Sequence, residues 1–393
     1  MYNKTMSGLL GLLSKKKFGH VIALDIGSYS IKTAVFETTS DGEQISSVNK
    51  KIFYLPLFAE GEGLVNSKIT VSRIREIIFN FLKELKRVPN KIIIGFDMPL
   101  AEPKIETFKT RIEKSKKDIS KDELDGLFNS LIEEENKKLA DQGKKIILAR
   151  PISIFLNGYE IKKFELGLYG EDVAFKALIS YIDFEVADDF LAITQMLGGI
   201  PVEFSSTIFN LGRAVPQKIP TGKECVILDI GGLCTNLIII INGVINEIAS
   251  FSSGGYNFTR SLSREIGMEV NQSNQLEKQY ALGLATSKEA EKIAGVFTEE
   301  SAAWEEKFIG ALDSMAQTDF FPKKIYLTGG GANIPEIKKV LEAKRWVSHV
   351  LYSGEADITT LGAEDILGKD QFASVLKGSS EAGLAALMVN LNS

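Results

Sequence analysis

Two short segments of the sequence, about half a chain apart, each combine an acid with glycine at the end of an apolar run. Asp25-Ile26-Gly27 follows Val21 to Leu24, and Asp229-Ile230-Gly231-Gly232 follows Cys225 to Leu228. A second run rich in β-branched residues comes after each segment, so each pattern predicts a β-hairpin. Glycines after the acid let backbone N–H groups face an anion, and the carboxylate stands beside them. The pattern indicates an anion-binding turn, present twice.

A third glycine turn occurs late in the chain. The apolar run Lys324 to Leu327 leads through Thr328 into Gly329-Gly330-Gly331, and Pro335 suits the first turn of a following helix. Glycines let the backbone lie flat against a planar group such as adenine. Taken singly, either Asp-Ile-Gly segment is better interpreted as an ordinary hairpin turn. Two copies with matching flanks, followed by the glycine turn, favour a duplicated fold with one ligand between its halves.

In this order the three segments resemble the phosphate-one, phosphate-two and adenosine motifs of the actin–Hsp70–sugar-kinase superfamily. The resemblance extends from about Val21 to Met388. It implies an α/β fold of the bilobed actin-like kind, a duplicated RNase H-like unit, that binds ATP with Mg²⁺ in the cleft. Asp25 and Asp229 are then the expected catalytic and metal-side carboxylates, acting on Mg²⁺ through water.

The expected ligand-binding residues come from the turns and from further motifs of the superfamily. They are Gly27, Ser28, Tyr29, Ser30, Lys32, Gly231, Gly232, Thr235, Gly254, Gly255, Lys278, Gly329, Gly330 and Gly331. Two alternatives stay open. Lys32 either meets a phosphate or lies on a solvated strand face, and the hydroxyls of Ser28, Ser30 and Thr235 either bind the ligand or stabilise the turns.

Composition excludes several other classes of protein. The 393 residues exceed what one hydrophobic core usually supports, so two lobes or more are expected. A net charge of −5 argues against a nucleic-acid binder. Two cysteines are too few for a secreted disulfide scaffold and indicate reduced thiols in a cytosolic protein. The sequence has neither a P-loop nor a dinucleotide-binding glycine motif, and His20 and His349 stand apart from any zinc or triad pattern.

The elements that must position these residues follow from periodicity and capping signals. We expect an amphipathic helix over Val71 to Leu85, and a helix opened by the capping box Ser120 to Glu123. Expected strands are Gln44 to Leu55, Lys91 to Phe96, Ile146 to Leu156, Tyr159 to Phe164 and Val173 to Ile182. A linker is expected over Pro216 to Lys223, and a helix over Arg260 to Ile266.

The expected elements divide the chain into two lobes with an insertion. The first lobe is expected over residues 21–100 and 185–222, interrupted by an α+β module over residues 101–184. The second lobe has a core over residues 223–258 and 322–393 and a helical part over residues 259–321. Residues 1–20 are expected to be a leader with an apolar face and a basic cluster, Lys15 to Lys17. The leader either contacts an anionic membrane surface or is a frayed or packed segment.

The inserted module resembles the SHS2-type subdomain shared by the FtsA and PilM families, which Hsp70 proteins and sugar kinases lack. Asp25 to Lys32 resembles the D-I-G-S-x-S-[IV]-K opening of the PilM family, and Gly254 to Thr259 its G-G-x-x-[IL]-T segment. The family's A-E-x-x-K motif is matched by Lys278 but has Gln275 in place of Glu. Leu233 and Cys234 stand where FtsA has small residues. These departures predict ATP binding with slow or absent hydrolysis.

The resemblance implies an ATP-binding adaptor at the cytoplasmic face of a bacterial membrane. A PilM-like protein would dock the cytoplasmic tail of an inner-membrane, PilN-like pilus assembly protein between the first lobe and the inserted module. An FtsA-like protein would tether FtsZ, and either role is compatible with a homo-oligomer. A third class, a small-molecule kinase, would need a catalytic base and a substrate pocket that the sequence does not place.

Overall fold

The computed structural model describes residues 19–38, 45–54, 67–84, 88–112, 119–162, 168–197, 199–315, 320–352, 354–368 and 375–389. Most of the predicted leader, residues 1–18, lies outside these ranges, and its membrane contact stays a prediction.

Fourteen strands and ten α-helices make up the described part of the chain. The strands are β1 Gly19–Ile26, β2 Ser30–Thr38, β3 Ile45–Tyr54, β4 Lys91–Phe96, β5 Glu102–Arg111, β6 Lys144–Leu156, β7 Tyr159–Glu160, β8 Asp172–Asp183, β9 Val202–Ser205, β10 Cys225–Ile230, β11 Thr235–Ile241, β12 Val244–Phe251, β13 Lys324–Thr328 and β14 Asp357–Thr360. The helices are α1 Ser67–Glu84, α2 Lys121–Ala140, α3 Phe184–Met196, α4 Thr207–Lys218, α5 Gly255–Ile266, α6 Val270–Ala281, α7 Ser287–Asp313, α8 Pro335–Ala343, α9 Ala363–Leu367 and α10 Ala382–Val389. Short 3-10 helices cover Pro220–Lys223, Gly330–Asn333, Arg345–His349 and Ser379–Glu381.

Two five-stranded sheets share one topology. The first has the order β3-β2-β1-β4-β9 and the second β12-β11-β10-β13-β14. In each sheet the central strand, β1 or β10, pairs antiparallel with the next strand and parallel with a later one, β4 or β13. The two sheets are therefore copies of one unit, and the duplicated α/β fold expected from the paired Asp-Ile-Gly hairpins is confirmed.

Helices cover both faces of each sheet because strand side chains alternate between faces. Ala23 of β1 and Ile227 of β10 point into a shared core in which α4 and α10 lie between the two sheets. Leu24, the next residue along β1, packs under α1 and α3 on the opposite face. Leu228 does the same in the second lobe, where α5, α7 and α8 cover the outer face. Both central strands are thus buried on two sides, which explains their unbroken apolar runs.

A third, four-stranded antiparallel sheet of order β5-β8-β6-β7 interrupts the first lobe and carries α2. Leu124 and Phe128 of α2 bury against this sheet, with the Phe128 and Phe175 ring centroids 5.3 Å apart. The predicted capping box opens α2, since Ser120 and Glu123 bond each other's backbone N–H groups. The inserted α+β subdomain is confirmed as part of the fold.

Several predicted element boundaries are wrong, each for an identifiable reason. Strand β5 was not expected, because charged residues interrupt it, while Ile105 and Phe108 are buried on its opposite faces in two different cores. The predicted linker is partly helical, since Pro216 falls in the last turn of α4 and Ile219 N–H still bonds the Val215 carbonyl. The expected strand after Asn157 shortens to β7, and part of its range, residues 163–164, lies outside the described residues.

Helix α5 begins at Gly255, five residues before the predicted start at Arg260. Its first amide groups, those of Gly255 and Tyr256, donate to the carbonyls of Gly231 and Gly232 at 2.9 and 2.8 Å. Turn carbonyls thus replace the missing helical partners at this N-terminus, a long-range arrangement that local sequence does not reveal. Among the described residues, no helix combines the length and apolarity needed to cross a membrane.

Candidate functional site

A cavity of about 420 Å³ opens where the central strands of both lobes end. Its size falls within the range of small-molecule sites. Both Asp-Ile-Gly turns line it, together with the Gly329-Gly330-Gly331 turn and one side of α6. Of the predicted site residues, it brings together Asp25, Gly27, Ser28, Tyr29, Ser30, Lys32, Asp229, Gly231, Gly232, Gly255, Lys278, Gly329, Gly330 and Gly331.

The two Asp-Ile-Gly turns have the same backbone. Gly27 N–H donates to the Ser30 carbonyl at 3.0 Å, and Gly231 N–H donates to the Cys234 carbonyl at 2.9 Å. These two N–H groups are therefore used within their turns, and the amides that follow them are the ones available to an anion. The aspartates also occupy equal positions, because Asp25 faces Lys32 across its hairpin and Asp229 faces Asn236 across the other.

The first aspartate is held at both oxygens. Lys32 Nζ donates to Asp25 Oδ2 at 3.0 Å, and Thr207 Oγ1 donates to Asp25 Oδ1 at 3.2 Å. Burial lowers the pKa of Lys32, but the charge and hydrogen bond of Asp25 outweigh it, so the pKa of Lys32 is raised overall. Lys32 is thus a paired cation inside the cavity and does not lie on a solvated strand face.

The second aspartate has only a neutral cross-strand partner. Asn236 Nδ2 donates to Asp229 Oδ2 at 3.3 Å. Burial, helped by the charge of Asp25, raises the pKa of Asp229 to about 6, against the opposing effects of Lys32 and Asn236. An ionised Asp229 is therefore unfavourable in the ligand-free cavity, and positive charge brought by a ligand would relieve it.

A third carboxylate, Asp97, lines the cavity and was missed by the sequence reading. It follows β4, and its oxygens accept from Ser206 Oγ at 2.5 Å and from Ile208 N–H at 2.8 Å. Burial raises the pKa of Asp97 well above its ordinary range despite these two hydrogen bonds. Its only sequence signal was an acid at the end of a buried strand, the same signal as Asp25 and Asp229.

Side chains of the first turn reach across to the second lobe. Ser28 Oγ accepts from Leu233 N–H at 2.9 Å. Tyr29 is hydrogen bonded through its hydroxyl to Asn274 of α6, and its ring centroid is 6.0 Å from that of Tyr256. We call these contacts, Ser28 with Leu233 and Tyr29 with Asn274 and Tyr256, the clasp. The Ser28 hydroxyl therefore stabilises turn-to-turn contact.

Close approach explains two of the glycines. A Cβ on Gly232 would lie 2.9 Å from Ser28 Oγ and 3.0 Å from Tyr29 Cβ, so the clasp needs glycine there. Gly329 has φ of +87°, and a Cβ on it would lie 2.4 Å from the Ile230 carbonyl oxygen. The third turn thus lies directly against the end of β10, next to Asp229.

Two predicted residues do not line the cavity. Thr235 is fully buried, and its hydroxyl donates to the Ser253 carbonyl at 2.7 Å and accepts from the Trp304 indole at 3.0 Å. Gly254 packs α5 onto the second turn, since a Cβ on it would lie 2.5 Å from the Gly231 carbonyl oxygen. For Thr235, the turn-stabilising alternative is the one that the geometry supports.

Helix α6 brings Lys278, the residue that matches the A-E-x-x-K motif, to the cavity. Gln275 is exposed and does not line the cavity, whereas Asn274, Glu277 and the exposed Lys278 do. Thr259 is hydrogen bonded to Glu277. Burial raises the pKa of Glu277 to about 7, against the hydrogen bond of Thr259 and the charge of Lys278. Helical spacing of three and four residues from Asn274 was the signal that could have identified Glu277.

The cavity fits an anionic ligand that is accompanied by a cation. Glycine turns bring backbone amides to it, while its four carboxylates outnumber its two lysines, the carboxylates being Asp25, Asp97, Asp229 and Glu277 and the lysines Lys32 and Lys278. These carboxylates would repel a bare polyphosphate, and a divalent ion would bridge the two sets of groups.

Comparisons with known proteins agree with this geometry. Residues 226–376, less than half of the chain, match the family model of the cell division protein FtsA. No curated protein sequence gives a significant match.

Several solved structures are similar to this chain. The PilM-PilN type IV pilus biogenesis complex has a chain of 13% identity and a TM-score of 0.61, covering 94% of this chain and 98% of that one. The ethanolamine utilization protein EutJ from Carboxydothermus hydrogenoformans has 12% identity and a TM-score of 0.49, with 94% and 89% covered. MreB 5 of Spiroplasma citri, solved bound to AMPPNP, has 12% identity and a TM-score of 0.46, with 94% and 95% covered.

Proposed function

We propose that this chain, which has the actin-like ATPase fold, binds ATP with Mg²⁺ between its lobes and works as an assembly adaptor. The observation that carries the proposal is the cavity itself. Two equivalent Asp-Ile-Gly turns from different lobes and one glycine turn converge on it, and its carboxylates outnumber its lysines.

Each part of the cavity would serve one part of the nucleotide. The turn amides after Gly27 and Gly231 and the Lys32 ammonium would bind phosphate oxygens, while Asp25 and Asp229 would face the metal through water. Mg²⁺ would supply the positive charge between the phosphates and these carboxylates. The adenosine would lie between the Gly329-Gly330-Gly331 turn and α6.

A binding role suits the cavity better than rapid turnover. Of the two remaining carboxylates, Asp97 has both oxygens occupied by donors from Ser206 and Ile208. The other, Glu277, is hydrogen bonded to Thr259 and lies on α6, the helix that would face the adenosine and not the phosphates. Leu233 N–H, in the second turn, is bonded to Ser28. Because the clasp joins the two lobes around the cavity, nucleotide binding would favour the closed arrangement and so tune affinity for a partner.

The proposed partner is the cytoplasmic tail of a membrane-anchored pilus assembly protein. The likeness to the PilM-PilN complex over nearly the whole length of both chains supports it. The proposed groove lies between the first lobe and the inserted subdomain, where Arg150 of β6 and Glu203 of β9 are 3.2 Å apart. The protein would then act at the cytoplasmic face of the membrane.

A division role is the second candidate, favoured by the match to FtsA over residues 226–376. That segment belongs to the second lobe, which supplies one side of the ligand cavity but not the proposed partner groove. The match therefore supports nucleotide binding more directly than it supports a choice of partner.

The test has two arms. Calorimetry with ATP in Mg²⁺ and in EDTA should show Mg²⁺-dependent binding, and the absence of any binding would overturn the nucleotide site. A pull-down with the pilus protein's tail and, in parallel, the C-terminal tail of FtsZ should capture the pilus tail alone. Capture of the FtsZ tail alone would move the protein to the division role, and phosphorylation of a metabolite without either capture would contradict the adaptor.

A further inference from the structure

We propose that Asp97 is a positioning residue for the metal-side carboxylate Asp25, acting through the first turn of α4 and the Thr207 hydroxyl. The inference rests on the proposed binding of ATP with Mg²⁺.

Asp97 fixes the start of α4. Its two oxygens accept from Ser206 Oγ at 2.5 Å and from Ile208 N–H at 2.8 Å, on either side of Thr207. Ser206 is the N-cap of this helix, and its hydroxyl oxygen also accepts from Phe209 N–H at 3.1 Å. Asp97 and Ser206 therefore satisfy helix N–H groups that would otherwise lack partners, and they do so in a buried place where an unpaired donor is costly.

Thr207 is held in one orientation. A Cβ added to Gly95 of β4 would lie 2.8 Å from Thr207 Oγ1, and one added to Gly383 of α10 would lie 2.5 Å from Thr207 Cγ2. The side chain thus sits between two glycine surfaces, and its hydroxyl donates to Asp25 Oδ1 at 3.2 Å. Movement of the α4 terminus would carry Thr207 with it.

Asp25 is balanced between two donors from different elements. Thr207 holds Oδ1 and Lys32 holds Oδ2 at 3.0 Å. If Thr207 withdrew, the carboxylate would be free to turn wholly towards Lys32, away from the orientation that faces the cavity. Groups that orient a metal-side ligand typically change metal affinity by about 10- to 100-fold when removed.

The direct alternative is that Asp97 itself faces the metal waters. Both of its oxygens already accept hydrogen bonds from α4, which favours action through the helix. A substitution of Ser206 distinguishes the two possibilities, because Ser206 is fully buried and is not among the cavity-lining residues. Loss of the Ser206 hydroxyl would disturb the hydrogen bonds that fix the start of α4 without removing a charge.

The experiment compares Asp97→Asn and Ser206→Ala with Thr286→Ala, which removes the N-cap of α7 at an exposed position. Calorimetry would measure ATP affinity across a series of Mg²⁺ concentrations, which gives the Mg²⁺ affinity. Both α4 variants should need about tenfold more Mg²⁺ for half-maximal binding, while ATP affinity at saturating Mg²⁺ stays within about twofold. Hydrogen exchange in the ligand-free protein should quicken at the Ile208 and Phe209 amides. Thr286→Ala should change neither Mg²⁺ affinity nor that exchange.

Three results would overturn the inference. Unchanged Mg²⁺ affinity in both α4 variants would remove the coupling to Asp25. Loss in Asp97→Asn alone would show that Asp97 acts directly on the metal waters. An equal loss in Thr286→Ala would reduce the effect to general helix destabilisation. Absence of ATP binding in the wild-type protein would instead overturn the proposed function, and a melting curve for each variant separates all of these from misfolding.

Discussion

The two Asp-Ile-Gly turns match in backbone and differ in charge. Each aspartate faces the equivalent residue across its hairpin, but that residue is Lys32 in the first lobe and Asn236 in the second. Asp25 is consequently neutralised by an ion pair at 3.0 Å, whereas the pKa of Asp229 is raised to about 6, by burial first. The residue that follows each Asp-Ile-Gly segment differs as well, since it is Ser28 in the first turn and Gly232 in the second.

This difference shows how a duplicated unit can acquire an asymmetric site. If both partners were lysines, the ligand-free cavity would be balanced and a cation would gain little from entering. With one lysine and one asparagine, the charge of Asp229 has no cationic partner across its hairpin. A bound metal ion would therefore stabilise the ionised form of Asp229 more than that of Asp25. Ser28 and Gly232 differ for a related reason, because a Cβ at position 232 would lie 2.9 Å from Ser28 Oγ across the cleft.

Removing either aspartate should give the largest effects, on the free energy of unfolding for Asp25 and on ATP binding for Asp229. Asp25→Ala leaves Lys32 without its ion-pair partner in a largely buried place and should lower the free energy of unfolding by about 3 kcal/mol. Asp229→Ala should leave the fold intact but abolish Mg²⁺-dependent ATP binding. Urea unfolding and calorimetry measure the two quantities. Equal stability of the two variants would break the comparison, as would wild-type ATP affinity in Asp229→Ala.

The pH dependence of stability should follow Asp229 in the ligand-free protein. Its pKa is raised from 3.8 to about 6, so its ionisation destabilises the folded state as the pH rises through that window. Asp229→Asn should therefore gain stability relative to wild type by about 2 kcal/mol between pH 4 and pH 7. Asn236→Lys supplies the missing cation and should also flatten the wild-type decline. If the free energies of unfolding of wild type and Asp229→Asn changed equally with pH across this range, Asp229 would ionise as easily in the folded protein as in the unfolded chain.

A methyl group at Gly232 should wedge the lobes apart. Its Cβ would lie within 3.0 Å of Ser28 and Tyr29, and such overpacking typically costs about 1–3 kcal/mol. ATP affinity should then fall about tenfold, and small-angle scattering should show a larger radius of gyration. Gly295→Ala in α7, where nothing lies within 4 Å, is the matched control and should bind like wild type. An unchanged affinity in Gly232→Ala would mean that the turns separate without consequence.

The smallest effect should come from the clasp hydroxyl. Tyr29→Phe removes the bond to Asn274 and keeps the ring near Tyr256, a loss of about 1 kcal/mol. Release of a fluorescent ATP analogue, followed by stopped flow, should quicken about fivefold. Asn274→Ala should do the same, and the double variant should add nothing further. Additive effects would show that the two side chains act separately.

Local patterns in the sequence predicted the hairpins, the capping box of α2 and the glycine turns that line the cavity, because those signals lie within a few residues. Long-range contacts were out of reach. Asp97 meets its partners on α4 across more than 100 residues, and Tyr29 meets Asn274 across 245. Glu277 was missed because the rotation of α6 is set by packing, with Ser273 fully buried.

Helix α10 has a consequence for the order in which the protein can fold on the ribosome. Residues 382–388 bury in the core between the two sheets, and Leu387 fills the space over Gly95 on β4. The strands of the first lobe leave the ribosome early, yet their inner face is not fully covered until α10 has been synthesised. Domains made first usually fold first, but here the earliest sheet must wait, with apolar residues such as Ala23 and Ile93 exposed, for one of the latest helices.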